Sequence, residues 1–171
     1  MLVAAVWRVG AAYDGAMSHV LITGMSGVGK STVLEALRSR GFACIDMDDA
    51  SLSFHDDAGH QHWRTDLLVQ LLEAHPERTT FVVDCAEEQA GLHHRFRAIV
   101  LLSAPMEVML DRIRSRTSHA FGQDPAEMAR VLDDLHSVEP QLRRSCTHVI
   151  VTTVPVAQVV ERTLEIAEPT S

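Results

Sequence analysis

The chain of 171 residues is of a length that one hydrophobic core can organise, and its 46% hydrophobic and 22% charged residues are an ordinary globular balance. A net charge of −8 argues against a broad surface for nucleic-acid backbones, whose affinity rests on Lys and Arg. Cys44, Cys85 and Cys146 are scattered without CxxC spacing and read as reduced thiols of a cytoplasmic protein, and no apolar run approaches the length of a membrane span.

Residues 1–16 are mildly apolar, hold Arg8 as their one fixed cation and break at Tyr13-Asp14-Gly15, a poor match to a secretory signal. Met17 opens the run into the first apolar strand, so 1–16 read as an upstream-start extension or an unstructured arm and 17–171 as one domain. HVLITG (19–24) has the short, β-rich, glycine-ended form of a buried parallel strand. KSTVLEALRSRG (30–41) reads as a helix with Val33, Leu34 and Leu37 on one face and Gly41 as its stop. FACID (42–46) is a second strand, ending in acid. A polar, histidine-bearing stretch over 47–61 leads to a helix over 62–75 that Pro76 stops. Strands follow at TTFVVD (79–84) and RAIVLLS (97–103). Pro105 sits near the first turn of a helix over 106–116. Residues 117–125 form a loop, 126–138 a helix, THVIVTT (147–153) a fifth strand and 155–167 a closing helix. Strands alternating with helices in this way predict an α/β fold of three layers, a five-stranded parallel sheet with helices on both faces.

Gly24-Met25-Ser26-Gly27-Val28-Gly29-Lys30-Ser31-Thr32 joins the first strand to the first helix and matches the Walker A pattern of a P-loop in its required context. The glycines let several backbone N–H groups converge on one anion, and the helix adds its positive N-terminal end. Lys30, the only lysine of the chain, is placed to bridge β- and γ-phosphates, Ser31 to take a Mg²⁺ position and Thr32 to assist from the first helical turn. The expected cofactors are ATP and Mg²⁺. A guanine-reading Asn/Thr-Lys-x-Asp sequence is impossible with Lys30 as the sole lysine.

Asp46 and Asp48 follow the second strand directly, at the edge where such sheets bind ligands. A carboxylate there holds Mg²⁺ through water, or accepts a substrate hydroxyl proton and orients that oxygen; the plainer alternative is a solvated acidic turn. Asp84 ends the third strand and reads equally as a Walker-B-like carboxylate or as a strand-end cap. Arg112 and Arg116 lie four apart and share a helix face. His55, His60, His62, His93 and His94 lack zinc-site spacing and read as residues of flexible polar loops.

With the P-loop, the stretch LDRIRSRTSHAFG (110–122) resembles the run into the mobile lid of adenylate kinases. From about residue 18 to 167 the chain resembles the adenylate kinase and shikimate kinase group of small P-loop kinases, among AAA-family ATP-binding proteins. That resemblance implies a short lid over about 117–125, Arg112 flanking the adenine and Arg116 reaching the transferring phosphates; without it both read as solvated arginines. His62-Trp63-Arg64 resembles the Phe-Arg pair of shikimate kinases, which implies Arg64 on an anionic group of the acceptor and Trp63 as a wall of its pocket. The alternative keeps Trp63 in the core and Arg64 at the surface. Arg143 falls where related kinases carry a helix arginine facing the site, or else marks a charged helix end. Val82-Val83-Asp84-Cys85-Ala86 lacks the triple glycine by which shikimate kinases approach their substrate, so shikimate is not the expected acceptor.

The function expected is transfer of the ATP γ-phosphoryl to a hydroxyl or phosphate of a small molecule, with Lys30, Asp46, Asp48 and Arg116 carrying the chemistry and Ser31, Asp46 and Asp84 toward the metal. The alternative is an ATP-binding, slowly hydrolysing module that acts on a protein partner. The expected partners are a nucleotide and a small acceptor, with neither nucleic acid nor membrane, for a cytoplasmic monomer or homodimer.

Overall fold

The computed structural model describes residues 18–115 and 124–168. β1 (Val20–Thr23) leads through the glycine loop into α1 (Lys30–Ser39) and β2 (Ala43–Asp46). Then come β3 (Ser53–His55), β4 (Gln61–Trp63), α2 (Thr65–Glu73), β5 (Thr80–Val83) and α3 (Gln89–Leu92), which runs into a short 3-10 turn at His93–Arg95. The remainder is β6 (Ala98–Ser103), α4 (Met106–Ser115), α5 (Pro125–Ser137), α6 (Glu139–Ser145), β7 (His148–Val151) and α7 (Val156–Ala167).

Five strands form one sheet in the order β2-β5-β1-β6-β7, and each neighbouring pair is parallel. Consecutive β1 side chains enter different cores: Val20 and Ile22 pack with α1 and α7, while Leu21 packs with Trp63, Leu68 and Leu72. β5 repeats this, with Phe81 and Val83 on the first side and Val82 on the second. A strand period of two, apolar on both faces, is what a sheet covered by helices on both sides requires. The predicted α/β sandwich and its five strands are therefore present. The chain leaves β1 toward β2 on one side and returns past it to β6 on the other, so the carboxyl ends of the central strands border a topological switch point, where such sheets bind ligands.

Differences from the sequence expectation cluster on one side. The helix expected from residue 62 begins at Thr65, because Gln61–Trp63 pair antiparallel with Ser53–His55 as a two-stranded hairpin. Its turn is set by Asp56, whose Oδ1 accepts from the amides of Ala58 (2.9 Å) and His60 (2.8 Å). Burial of the Trp63 indole against Leu68 and Val82 fixes the register, since a slip by one residue would turn it outward. α3 and α6 were also not expected as separate helices. α5 starts as predicted to within a residue: Asp124 Oδ1 accepts from the amides of Ala126 and Glu127 at 2.8 and 3.0 Å, with Pro125 in the first helical turn. The expected lid over about 117–125, and Arg116 before it, lie almost wholly outside the described residues.

Candidate functional site

The glycine loop runs from the end of β1 to the first residue of α1, with Gly29 as the helix cap in a left-handed conformation. It fits tightly against β6 and α4: a Cβ on Gly24 would lie 2.5 Å from the Leu102 carbonyl oxygen, and one on Gly27 2.6 Å from that of Met109. Its carbonyls are tied down from the protein side. Arg112 Nη1 donates to the carbonyls of Gly27 and Val28, both at 3.3 Å, and the Thr152 hydroxyl donates to Val28 O at 2.7 Å. Arg112 Nη2 donates to Thr152 O at 2.6 Å, so α4, the loop and the end of β7 form one hydrogen-bonded unit. Pinned carbonyls favour a loop whose N–H groups can gather round an anion. Lys30 Nζ turns back onto Gly24 O at 2.6 Å and Met25 O at 3.4 Å.

A cleft of about 440 Å³ opens over the loop. Lys30, Ser31, Thr32 and Asp48 are among its lining residues, as are Arg112, Thr152, Val154, Val156 and Val159. Such a mixed lining suits a ligand that carries both an anionic and an apolar part.

Two acids lie near Lys30. Asp48, exposed on the turn after β2, lines the cleft, and its Oδ1 accepts from Gln61 Nε2 at 3.1 Å. Asp84, only 5% exposed at the end of β5, accepts from Trp63 Nε1 on Oδ2 at 3.2 Å. Burial pushes the Asp84 carboxyl up to about 6; the Lys30 ammonium pulls it back and the Asp48 charge raises it further. The three groups thus share one electrostatic neighbourhood. Asp46 is not brought in among the cleft residues. Its Oδ1 accepts the Asp48 amide at 3.2 Å, which shapes the turn that projects Asp48, and burial raises its pKa.

The remaining predicted residues are placed as follows. Trp63 is 3% exposed and its ring packs in the core with Met47 and Leu68, so only its N–H faces the site. Arg64 caps α2 at the surface with its guanidinium 5.3 Å from the centroid of Phe54, on the opposite face of the hairpin from Trp63. Arg143 is engaged with Glu139 Oε1 at 2.5 Å and Ser103 Oγ at 3.0 Å, away from the cleft lining. Arg116 lies outside the described residues. Gln61 and Thr152 were not singled out from sequence. Thr152 follows the last strand at the ligand edge, which is the signal that points to it; nothing in the pattern marks Gln61.

Mg²⁺ prefers hard oxygen ligands, few of them from protein and the rest from water and phosphate. Ser31, Asp48 and the buried Asp84 are donors of that kind, and a cation beside Asp84 would favour its charged form. Among the described residues no group of three or more His, Cys, Asp or Glu is arranged to hold a metal by itself. His62 instead bridges Glu88 Oε1 (2.6 Å) and Asp56 Oδ2 (3.3 Å).

A family model described as an AAA domain matches residues 20–133, about two thirds of the chain. The chain belongs to this AAA-domain family. No curated protein matches it. Its fold is similar to a sugar kinase from Janibacter sp. HTCC2649, at 21% identity and TM-score 0.57 over 86% of this chain and 92% of that one. The shikimate kinase of Acinetobacter baumannii, solved with shikimate, aligns at 19% identity and TM-score 0.59 over 86% and 91%. A gluconokinase from Sinorhizobium meliloti 1021 aligns at 22% and 0.56 over 87% and 90%. These likenesses show that the AAA-domain protein has the fold of small P-loop kinases.

Proposed function

We propose that the protein is an ATP-dependent phosphotransferase that moves the γ-phosphoryl of ATP to a hydroxyl or phosphate of a small-molecule acceptor. The observation that carries this reading is the placement of Lys30, Asp48 and Asp84 together at the carboxyl edge of the sheet, beside a loop built to hold phosphate. The fold shared with sugar, shikimate and gluconate kinases supports it.

In this mechanism the loop amides and the α1 N-terminus hold the β- and γ-phosphates. Lys30 exchanges its loop carbonyls for phosphate oxygens and stabilises the charge of the transferring group. Ser31, Asp48 and Asp84 would hold Mg²⁺, which when bound would neutralise phosphate charge. Asp48 orients the acceptor oxygen for in-line attack and takes its proton. Arg116, which the resemblance to adenylate kinases implies at the transferring phosphates, would add a further cation there. Positioning and electrostatics supply the rate, since the protein makes no covalent bond to the group transferred.

The test is Mg²⁺-dependent ADP release measured against a panel of sugars, polyols, hydroxy acids and nucleosides, with thermal shift as the first screen. One class of acceptor should accelerate ADP release, and Lys30→Ala should lose at least a hundredfold of that rate, about 2.7 kcal/mol or more. A protein that binds Mg-ATP but responds to no small acceptor, only to a protein partner, would overturn the proposal in favour of a nucleotide-controlled module.

A further inference from the structure

We infer that the β3–β4 hairpin is the support of the two site acids, with Gln61 positioning Asp48 and Trp63 positioning Asp84. The inference rests on the phosphotransferase reading of those acids and adds to it the residues that aim them.

Gln61 and Trp63 are two apart on β4, so they project to the same face, while His62 between them stacks on Phe54 on the other. One strand face therefore sends a donor to the acid after β2 and another to the acid after β5. The Gln61 amide is held in one orientation. Its nitrogen lies 3.1 Å from Asp48 Oδ1, 3.2 Å from Met47 O and 3.3 Å from Ser53 Oγ, and turning the amide over would set its oxygen against a carbonyl and a carboxylate. The Trp63 indole N–H can only donate, and a ring 3% exposed has no freedom to look for another partner.

Neither acid is held by the sheet alone. Asp48 sits on an exposed turn beyond the strand, and Asp84 is the first residue after β5. A carboxylate in such a place rotates about its side-chain torsions unless a fixed donor takes one oxygen. With one oxygen of each acid held from the hairpin, Asp48 is aimed where it lines the cleft and Asp84 is fixed in the electrostatic neighbourhood of Lys30. The nucleotide loop, in contrast, is braced from α4 and the end of β7 by Arg112 and Thr152. Metal-free nucleotide binding and carboxylate alignment therefore depend on different parts of the fold.

The full chain and its Gln61→Ala, Gln61→Glu and Trp63→Phe variants separate these parts. Calorimetry measures ATP binding in EDTA and then the Mg²⁺ concentration that half-saturates its enhancement; Mg²⁺-dependent ADP release gives a second curve. ATP affinity without metal should stay within about twofold of wild type. The Mg²⁺ requirement should rise roughly tenfold in Gln61→Ala and Trp63→Phe, as outer-shell partners of metal ligands show, and further in Gln61→Glu, which sets a charge against Asp48. Trp63→Phe keeps a ring in the core; if it fails to fold, Gln61→Ala, at a half-buried site, decides alone. Unchanged Mg²⁺ curves in folded variants that bind ATP would overturn the inference. So would an equal loss of metal-free ATP binding, which would make the hairpin a general structural prop. A wild-type chain that binds no ATP at all would instead remove the underlying reading, and the inference with it.

Discussion

Substituting Gly27 by alanine tests the loop architecture most directly, because the cost divides into two parts that a second glycine separates. Gly27 has φ +82°, and a Cβ there would lie 2.6 Å from the Met109 carbonyl oxygen and 3.1 Å from Cγ1 of Ile113. A left-handed backbone costs an L-residue ~1–2 kcal/mol. Forcing a methyl into a packed contact adds ~1–3 kcal/mol. Gly41, after α1, has φ +85° with nothing within 4 Å of the would-be Cβ, so Gly41→Ala carries the first part only. At ~2–4 °C per kcal/mol for a chain of this size, Gly41→Ala should lower the thermal midpoint by ~2–8 °C. Gly27→Ala, at ~2–5 kcal/mol, should lower it by ~4–20 °C. The obstacle is the backbone of α4, the helix that carries Arg112 and through it the loop carbonyls, so relief moves the loop itself. ATP affinity measured calorimetrically should collapse in Gly27→Ala and stay unchanged in Gly41→Ala. If Gly27→Ala melts with Gly41→Ala and binds ATP as wild type does, the account of a loop wedged against α4 is wrong.

Thr152→Val removes a hydroxyl that donates to Val28 O at 2.7 Å and accepts from Arg112 at 3.0 Å; it should cost ~1–3 kcal/mol in urea unfolding and weaken ATP binding, and Thr152→Ser should restore both. Asp84, raised by burial to about 6, binds its proton more tightly folded than unfolded, so it lowers stability as pH climbs from ~4 through 6, by up to ~3 kcal/mol. The nucleotide-free Asp84→Asn protein should therefore lose that slope and melt at or above wild type at neutral pH, with the order reversed in Mg-ATP; an identical slope in thermal melts over pH 4–8 would refute this. His62 is raised by Glu88 first and Asp56 second, while Asp56 and Glu88 are lowered. Its contribution is whole below the unfolded histidine value of ~6.5 and fades as pH rises through the folded one, and on the acid side it fades as the two carboxylates protonate. The melting gap between wild type and His62→Gln should thus be widest at mildly acidic pH and close toward alkaline pH.

What could be read from sequence follows the range of the forces involved. Each sheet strand is a short apolar run punctuated by glycine, acid or proline, and the central strands β1, β5 and β6 are buried on both faces, which leaves no alternation to misread, so the strands and their alternation with helices were legible. The glycine loop was legible because its conformational demand is local to nine residues. The hairpin was not. Its strands hold three residues each, too few for a period, and each face mixes polar and apolar side chains, Trp63 with Gln61 and Ser53 on one and Phe54 with His62 on the other. His62-Trp63-Arg64 consequently looked like the first turn of α2. The surroundings of Arg112 were hidden for another reason: helical spacing places it on α4, but only the approach of α4 to the end of β7, forty residues later, surrounds it with carbonyl oxygens.

The same separation bears on why the site has two acids beside one lysine. Without ligand, Lys30 satisfies its charge on loop carbonyls, and Asp84 carries an elevated pKa because burial and Asp48 outweigh the ammonium. Bringing in a nucleotide triphosphate alone would draw Lys30 toward phosphate and leave two carboxylates facing further negative charge. At ~4 Å, a pair of like charges near a protein surface repels by about 4 kcal/mol before screening by ions. A divalent cation removes that conflict at both acids at once, since it attracts phosphate and carboxylate oxygens alike. On the proposed function the acids would oppose free ATP and favour its metal complex, and the selection would be sharp only while both carboxylates keep their aim. On that argument the short hairpin, the element with no sequence signature, couples metal recognition to the loop whose signature is plainest.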